Sequence, residues 1–309
     1  MSEQSRGLYE AFGLVIESDV PLNELRPAAA GAVPDIRFVE RPIERMLPQR
    51  EDGVVIDYHD PAGVVMAWPD VAAFRLVDKA TVWVERYPEV PLSYVAFPIL
   101  GPIMAWMLNW REFFVIHASA IDINGKTVAL MGDKMAGKST TAAAFLRAGY
   151  PLITDDLLAI TFDERGMPVC HPAFPQLKLA DDAAASIQVD GAEALPLVYE
   201  GFSKRQHKLA GMRTEAASLD YLLTLDRGGD NPALDPFDTA GAIAAINRFS
   251  YMPRFSDAPW SHDDKARHFK ACATLADRAI VARLQIPDAL ARLHETVELV
   301  ANACERNGA

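Results

Sequence analysis

The segment that decides the fold reads ALMGDKMAGKSTTAAAFL and spans residues 129–146. From Gly132 to Ser139 it fits the pattern G-x-x-x-x-G-K-[ST], in which loop N–H groups and the start of a helix together form an anion site. An apolar run at 126–131 predicts a strand before the loop, and an alanine-rich run predicts a helix from about 138 to 148. A strand, a glycine loop and a helix in this order predict a phosphate-binding loop for a nucleotide.

Each part of the loop has an expected role. Lys138 reaches the β- and γ-phosphates as a point charge, which makes it a predicted catalytic residue, and the Ser139 hydroxyl holds Mg²⁺. The residues expected to surround the nucleotide phosphates are Gly132, Asp133, Lys134, Met135, Ala136, Gly137, Lys138, Ser139 and Thr140.

Two adjacent carboxylates, Asp155 and Asp156, follow the next apolar run in the segment PLITDDLLAI, residues 151–160. In phosphoryl transfer, one carboxylate at a strand end coordinates Mg²⁺ and a second accepts the proton of the attacking hydroxyl. Two adjacent carboxylates are costly to hold together unless a cation compensates them. This favours a functional pair over the alternative, a polar turn that caps the next strand.

The composition limits the class of protein. The chain has 309 residues, 50% of them apolar, which is enough for one large domain or two modest ones. The formal net charge of −12 argues against binding to nucleic acid, because neutralising phosphates needs a basic surface. The three cysteines have no short spacing, which excludes a disulfide framework and suits a reducing cytosol.

The first residues and the most apolar stretch both argue against a membrane protein. The opening MSEQSRGLYEAFG has no apolar core of the kind that a signal peptide needs. The stretch 94–110 contains Pro98, Gly101 and Pro102 and predicts a buried helix rather than a membrane span. We therefore expect a cytoplasmic protein with no membrane partner.

The pattern of apolar residues predicts two domains. Short runs rich in Val, Ile, Phe and Trp, separated by turn residues, predict a small, mostly antiparallel, β-rich domain over residues 1–92. Strands and helices alternate around the glycine loop after that point, which predicts an α/β domain over residues 93–309. Besides the strand and helix around the loop, the strands predicted in this domain are 113–116, 118–123, 151–154, 157–162, 221–225 and 280–284, and the predicted helices are 239–248, 263–277 and 287–303. The strands predicted in the first domain are 14–17, 36–40, 54–58, 64–68, 73–77 and 81–85.

Three segments, taken together, resemble the bacterial HPr kinase/phosphorylase superfamily, in particular the HPr-kinase-related proteins that lack its regulatory domain. The segments are IHASAIDINGKTVALMG at 116–132, GDKMAGKST at 132–140 and AGYPLITDDLLAI at 148–160. They place a histidine, the loop, a helix that ends in glycine and the paired aspartates in the family's order. The opening YEAFGLVIESDVPLNEL, residues 9–25, is also similar to the start of these chains.

The resemblance implies a serine kinase whose nucleotide fold is shared with phosphoenolpyruvate carboxykinases. It implies that Asp155 is the base for the acceptor serine, that Asp156 lies nearer the metal with Ser139, and that His117 lies beside the phosphates. Several HPr-kinase-related proteins belong to lasso-peptide biosynthesis and phosphorylate the C-terminal serine of the precursor peptide. Such a precursor is therefore the leading expected acceptor, and a homo-oligomer is a further expectation that the sequence leaves open.

The chain also departs from the parent enzyme. Lys134 and Met135 stand where HPr kinase/phosphorylase usually has Ser-Gly, and Thr140 stands where it usually has Glu. The last third of the chain has no counterpart to the segment that binds HPr. These differences argue against HPr as the acceptor and against the reverse phosphorolysis reaction.

Other candidate residues keep two interpretations. His117, in the apolar run FFVIHASAI, is either a hydrogen-bonded core residue or a catalytic residue that polarises the phosphate or pairs with an aspartate. Lys204 and Arg205, in FSKRQHKL, are either an additional pair of cations for the phosphates or part of a solvated basic segment. The stretch 248–262, which contains Arg248 and Arg254, is either a lid over the site or an irregular surface connection.

The sequence as a whole predicts an ATP- and Mg²⁺-dependent kinase that phosphorylates a serine hydroxyl of a peptide or protein. GTP as the phosphate donor stays open. Two other functions fit the same residues. One is a kinase of a small hydroxylated metabolite, and the other is a nucleotide-sensing module without transfer chemistry, against which the acidic pair argues.

Overall fold

The computed structural model describes residues 6–43, 54–180, 184, 187, 192–194, 205–209, 212–255 and 260–306. The chain forms two compact units, Met1–Glu112 with Asp257–Pro259, and Phe113–Ser256 with Trp260–Ala309. The mixture of strands and helices agrees with the predicted α/β class. The first boundary between the units falls after Glu112, whereas the sequence predicts it after residue 92.

A mixed sheet dominates the described part of the first unit. Its strands are β1 (Gly7–Ala11), β2 (Leu14–Ser18), β3 (Arg26–Pro27), β4 (Ile36–Glu40), β5 (Val55–Asp57), β6 (Val64–Trp68), β7 (Ala72–Asp78) and β8 (Thr81–Arg86). The order across the sheet is β3-β1-β2-β4-β8-β7-β6-β5. Neighbours are antiparallel except at β2–β4 and β4–β8, as the sequence predicts for most of the sheet. The sequence misses β1, which is only partly buried, and β3, which is two residues long.

The apolar stretch after β8 is a broken helix and not the single buried helix that the sequence predicts. It consists of α1 (Leu92–Pro98), a π-helical turn (Ile99–Ile103) and α2 (Met104–Trp110). Pro98 and Pro102 lack the N–H that a continuous helix needs, and Gly101 has non-helical dihedrals of φ −111 and ψ −107.

By length and composition alone, Leu92–Trp110 is able to cross a membrane, but 61% of it is buried. Trp106 of α2 stacks on Tyr58 with the ring centroids 5.6 Å apart. Because this helical stretch packs with the strands that precede it, the boundary of the first unit lies later than the predicted one.

A larger sheet is the centre of the second unit. Its strands are β9 (Phe114–Ile116), β10 (Ala118–Ile123), β11 (Lys126–Met131), β12 (Leu152–Thr154), β13 (Leu158–Phe162), β14 (Pro168–His171), β18 (Ala217–Arg227), β19 (Ala233–Pro236) and β20 (Ile280–Ile286). One path through it is β12-β10-β11-β18-β14-β13-β9, and β20 joins β18 and β19. The parallel strands β11, β18 and β20 form its middle. A separate small sheet has the order β15-β17-β16, with β15 (Gln176–Leu179), β16 (Ala192–Ala194) and β17 (Arg205–Leu209).

Helices cover both faces of the larger sheet. They are α3 (Lys138–Arg147), α4 (Thr239–Phe249), α5 (His262–Arg278) and α6 (Leu293–Arg306). Val128 and Leu130 of β11 pack in one core cluster with α3 and α6. Ala129 and Met131 point to the opposite face and pack in a second cluster with α4 and α5. A strand buried on both faces reads as a continuous apolar run, which is the pattern that marks 126–131 in the sequence.

The predicted helices and the structure agree closely where local signals are strong. The predicted helices at 239–248 and 263–277 correspond to α4 and α5, and Ser261 begins α5 with a capping box. The predicted final helix from residue 287 begins instead at Leu293, after a 3₁₀ turn at Leu290–Arg292. The sequence misses β14, β15, β16, β17 and β19, which are short.

Phe145 of α3 tests how the helix that follows the glycine loop is held. Its side chain is fully buried in the cluster that α3 shares with α6. We expect Phe145→Ala to lower the free energy of unfolding by about 3–5 kcal/mol, because the lost ring leaves a cavity.

Urea denaturation followed by far-UV circular dichroism measures this change. Phe269→Ala is the matched control, because the ring of Phe269 is exposed and its loss should change stability by no more than about 0.5 kcal/mol. Equal effects of the two substitutions would contradict the packing described for α3.

Candidate active site

The pairing of β10 brings three distant parts of the sequence to one edge of the sheet. Ala118 at the start of β10 lies opposite Met131 at the end of β11, and Ala120 lies opposite Thr154 at the end of β12. Because both neighbours are antiparallel to β10, the residues that follow β11 and β12 lie beside the residue that precedes β10. His117, the glycine loop and the acidic pair therefore meet.

The loop between β11 and α3 needs glycine at both fixed positions. A Cβ atom on Gly132 would lie 2.8 Å from the Cβ of Ala136, so the loop folds back too closely for any side chain there. Gly137 precedes α3 with a left-handed φ of 95. Lys134 and Met135, which differ from the family pattern, are exposed at the tip of the loop.

The side chain of Lys138 is buried and folds back over the loop. Its Nζ donates hydrogen bonds to the carbonyl oxygen of Gly132 at 2.9 Å and to that of Asp133 at 3.2 Å. The ammonium is therefore held inside the loop, whose N–H groups and helix start favour an anion. The predicted role of Lys138 as a phosphate ligand stays a prediction.

Asp155 is buried, and both of its carboxylate oxygens accept hydrogen bonds. Its Oδ1 accepts from the Ser119 hydroxyl at 2.5 Å and from the Ser139 hydroxyl at 3.2 Å. Its Oδ2 accepts from the backbone N–H of Lys178 at 3.0 Å. Ser119 is a site residue that the sequence analysis misses, because only the pairing of β10 with β12 places it beside Asp155.

Asp156 has different surroundings from its neighbour. Its carboxylate forms an ion pair with the ammonium of Lys178, and its side chain is 26% exposed. Its backbone has a left-handed φ of 81, which is uncommon for a residue other than glycine. Lys178 is a second site residue that the sequence analysis misses. The only signal for it is a lysine between two leucines in a short apolar run.

His117 is held at the edge of the site by two backbone contacts. Its N–H donates to the carbonyl of Phe249 at 3.0 Å, and its Nδ1 lies 3.0 Å from the carbonyl oxygen of Asp156. A carbonyl only accepts hydrogen bonds, so Nδ1 carries the proton and Nε2 remains an acceptor. Burial, with help from Lys138, lowers the pKa of His117 to about 3, against the opposing effect of Asp156. The imidazole is therefore neutral near pH 7.

The last turn of α4 and the segment after it contribute further polar groups. Arg248 forms an ion pair with Asp133 of the loop at 2.7 Å, but both side chains are exposed, so the pair adds less than about 1 kcal/mol to stability. Arg254 lies over the ring of Tyr251 at 5.2 Å, and burial raises the pKa of Tyr251 to about 12. Residues 256–259 of the predicted lid lie outside the described residues.

Of the two predicted basic residues in FSKRQHKL, only Arg205 is among the described residues. Lys204 lies outside the described residues. Arg205 begins β17 and lies opposite Leu179 of β15. Their role as phosphate ligands stays a prediction.

The oxygen ligands at this site fit a magnesium ion that binds together with a nucleotide. Among the described residues, no group of three or more His, Cys, Asp or Glu side chains is arranged to hold a metal. Magnesium, however, is usually held by one or two carboxylates together with waters and substrate phosphates. The 3.2 Å between Ser139 Oγ and Asp155 Oδ1 is close to the spacing of adjacent ligands in an octahedral shell, which is about 3 Å for Mg–O bonds near 2.1 Å.

The aspartate that lies beside Ser139 in the structure is not the one that the sequence predicts to share a metal ion with it. The predicted base Asp155 contacts Ser139, whereas the predicted metal ligand Asp156 is paired with Lys178.

Comparisons with known proteins add little to this geometry. No family model and no curated protein matches the chain. Among solved structures, the Hpr(Ser) kinase/phosphatase from Coxiella burnetii is similar at 13% identity with a TM-score of 0.31, and the match covers 63% of this chain and 99% of that chain. These values are too low to carry an argument about the site, whose chemistry has to follow from its own geometry.

The neutral state of His117 predicts how stability depends on pH. In the unfolded chain a histidine binds a proton with a pKa near 6.5, whereas folded His117 stays neutral down to about pH 3. Between these values protons favour the unfolded state. Relative to His117→Gln, the wild-type chain should therefore lose up to about 1.4 kcal/mol of unfolding free energy for each pH unit from 6 to 4.

Urea denaturation of both proteins at pH 7, 6, 5 and 4 measures this difference. The glutamine amide keeps a donor for the carbonyl of Asp156 but binds no proton in this range. A difference in unfolding free energy that stays constant with pH would contradict the neutral, buried state of His117.

Proposed function

We propose that the protein is an ATP- and Mg²⁺-dependent kinase that transfers the γ-phosphoryl group to a serine hydroxyl of a peptide or protein. The observation that carries this proposal is the meeting of the loop 132–139, the acidic pair and His117 at one edge of a sheet. Phosphoryl transfer needs an anion site, hard oxygen ligands for a metal and a proton acceptor, and this edge offers all three.

Each group has a defined task in this proposal. The loop N–H groups, the start of α3 and Lys138 bind and orient the phosphates. Ser139 and one carboxylate of the pair hold the magnesium ion, which supplies charge neutralisation at the phosphate oxygens when it is bound. The other carboxylate takes the proton from the acceptor hydroxyl. Neutral His117 fixes the backbone of Asp156 and leaves Nε2 as an acceptor.

The contacts favour Asp155 as the metal carboxylate and Asp156 as the proton acceptor. Asp155 is buried, is spaced from Ser139 like a neighbouring metal ligand and already accepts three hydrogen bonds. Asp156 is more exposed and is therefore more accessible to an acceptor hydroxyl. The family resemblance implies the opposite assignment, with Asp155 as the base, so the two roles require a direct test.

Asp155→Asn and Asp156→Asn separate the two roles. Either substitution should slow transfer by at least about 100-fold, because each removes a carboxylate that the reaction requires. Under our assignment, Asp155→Asn raises the Mg²⁺ concentration needed for half-maximal nucleotide binding by more than Asp156→Asn does, because it removes a metal ligand and not only a nearby charge. A titration with a fluorescent ATP analogue measures this concentration.

Asp277→Asn is the control, because the side chain of Asp277 is 72% exposed on α5 and should not affect either quantity. A raised Mg²⁺ requirement in Asp156→Asn alone would restore the assignment that the resemblance implies. Wild-type turnover in both variants would contradict the proposed function of the pair.

The proposed acceptor is the C-terminal serine of a lasso precursor peptide, and this part of the proposal rests on the sequence resemblance alone. Mass spectrometry after incubation with ATP and Mg²⁺ should show a gain of one phosphoryl group on such a peptide. The same peptide with its final serine replaced by alanine should gain none. Phosphorylation of small hydroxylated compounds instead, or ATP binding without transfer to any acceptor, would favour the two alternative functions.

A further inference from the structure

One residue, Lys178 of β15, contacts both carboxylates of the acidic pair through different atoms. Its backbone N–H donates to Oδ2 of Asp155 at 3.0 Å, and its ammonium pairs with Oδ2 of Asp156. Substitution by an uncharged residue other than proline therefore removes the contact with Asp156 and leaves the contact with Asp155. The two contacts can be separated by experiment.

The fold places Lys178 firmly. Leu177 and Leu179, on either side of it, are buried in the core cluster that includes α3, and β15 pairs with β17 along its length. Because side chains alternate along a strand, Gln176 and Lys178 point away from that core. The side chain of Lys178 is only 16% exposed, and a cation at this depth is stable when it is paired with a carboxylate.

The positive charge of Lys178 offsets part of the negative charge of the acidic pair. Two carboxylates on adjacent residues repel each other and attract a divalent cation. The ammonium of Lys178 cancels the charge of Asp156, so that the three side chains Asp155, Asp156 and Lys178 carry one net negative charge and not two. A magnesium ion that approaches Ser139 and Asp155 therefore meets a weaker field than two free carboxylates would produce.

We propose that Lys178 is the counter-cation of the acidic pair. It neutralises Asp156 and keeps this carboxylate out of the metal's coordination shell. Of the pair, Asp155 alone then binds the metal, and Asp156 accepts the proton of the acceptor hydroxyl. Lys178 is thus a positioning residue that acts through Asp156. The inference deepens the proposed function and rests on it for the identity of the metal and the acceptor.

Binding of Mn²⁺ to the nucleotide-free protein tests this inference without any transfer reaction. Electron paramagnetic resonance of free Mn²⁺ gives the dissociation constant. Lys178→Met removes the ion pair with Asp156 and adds one net negative charge, so it should tighten Mn²⁺ binding about tenfold. Asp156→Asn adds one net positive charge and should weaken binding by a similar factor. The double variant removes both charges and should return to within about twofold of the wild type.

Two further variants control for structure. Lys178→Arg keeps the positive charge and should keep the wild-type affinity for Mn²⁺. Lys208→Met removes an exposed lysine from the neighbouring strand β17, opposite Gln176, and should leave Mn²⁺ binding unchanged. Lys178→Gln repeats the neutral substitution with a polar side chain in case the methionine variant does not fold.

The outcomes separate this inference from the proposed function. Mn²⁺ affinity that is equal in the wild type and both neutral variants, or no Mn²⁺ binding to these variants, would overturn the role of Lys178. If the Mn²⁺ series follows the predicted order but the wild type phosphorylates no acceptor, the proposed function fails and the counter-cation stands. If transfer occurs, Lys178→Met should also slow it at saturating Mg²⁺ and nucleotide, whereas Lys178→Arg should retain most of it.

Discussion

The site depends on the antiparallel pairing of β10 with β11 on one side and with β12 on the other. This pairing sets the ends of two strands beside the start of a third, so that a glycine loop, a carboxylate pair and a histidine share one edge of the sheet. Each strand is buried on both faces, which fixes the register, because a slip by one residue would exchange the side chains that face the two core clusters. The same register therefore determines which residues meet at this edge.

The contacts at this edge of the sheet also fix the positions of its charged groups. Lys138 is turned inward onto the carbonyls of its own loop, Asp155 is held by two hydroxyls and a backbone N–H, and Asp156 is matched by Lys178. Each of these charged side chains thus already has hydrogen-bond or ion-pair partners within the protein. Such preorganisation reduces the reorganisation that a phosphoryl-transfer site has to make when its ligands bind.

Local signals in the sequence predict the loop, its flanking strand and helix, and both long helices of the opposite face, because each depends on neighbouring residues. The same signals place Asp155 and Asp156 after a strand. They do not reveal Ser119 and Lys178, which contact Asp155 only in the folded chain, across 36 and 23 positions of sequence respectively. They also do not show which aspartate faces Ser139, since both follow the same strand. In the apolar stretch 92–110, periodicity alone predicts one helix. The interruption at Gly101 results from two prolines, and the periodicity of apolar residues does not reveal their combined effect on the backbone.

The left-handed backbone at Asp156 has a consequence for how this chain can change over time. Glycine would adopt that conformation at lower cost, by roughly 1 kcal/mol, but it would also remove the carboxylate that pairs with the largely buried ammonium of Lys178. The backbone preference at position 156 and the side chain at position 178 therefore act in opposite directions. A descendant of this protein that no longer needed the acidic pair would become more stable by losing the aspartate only if it lost the lysine as well, so we expect the two positions to change together.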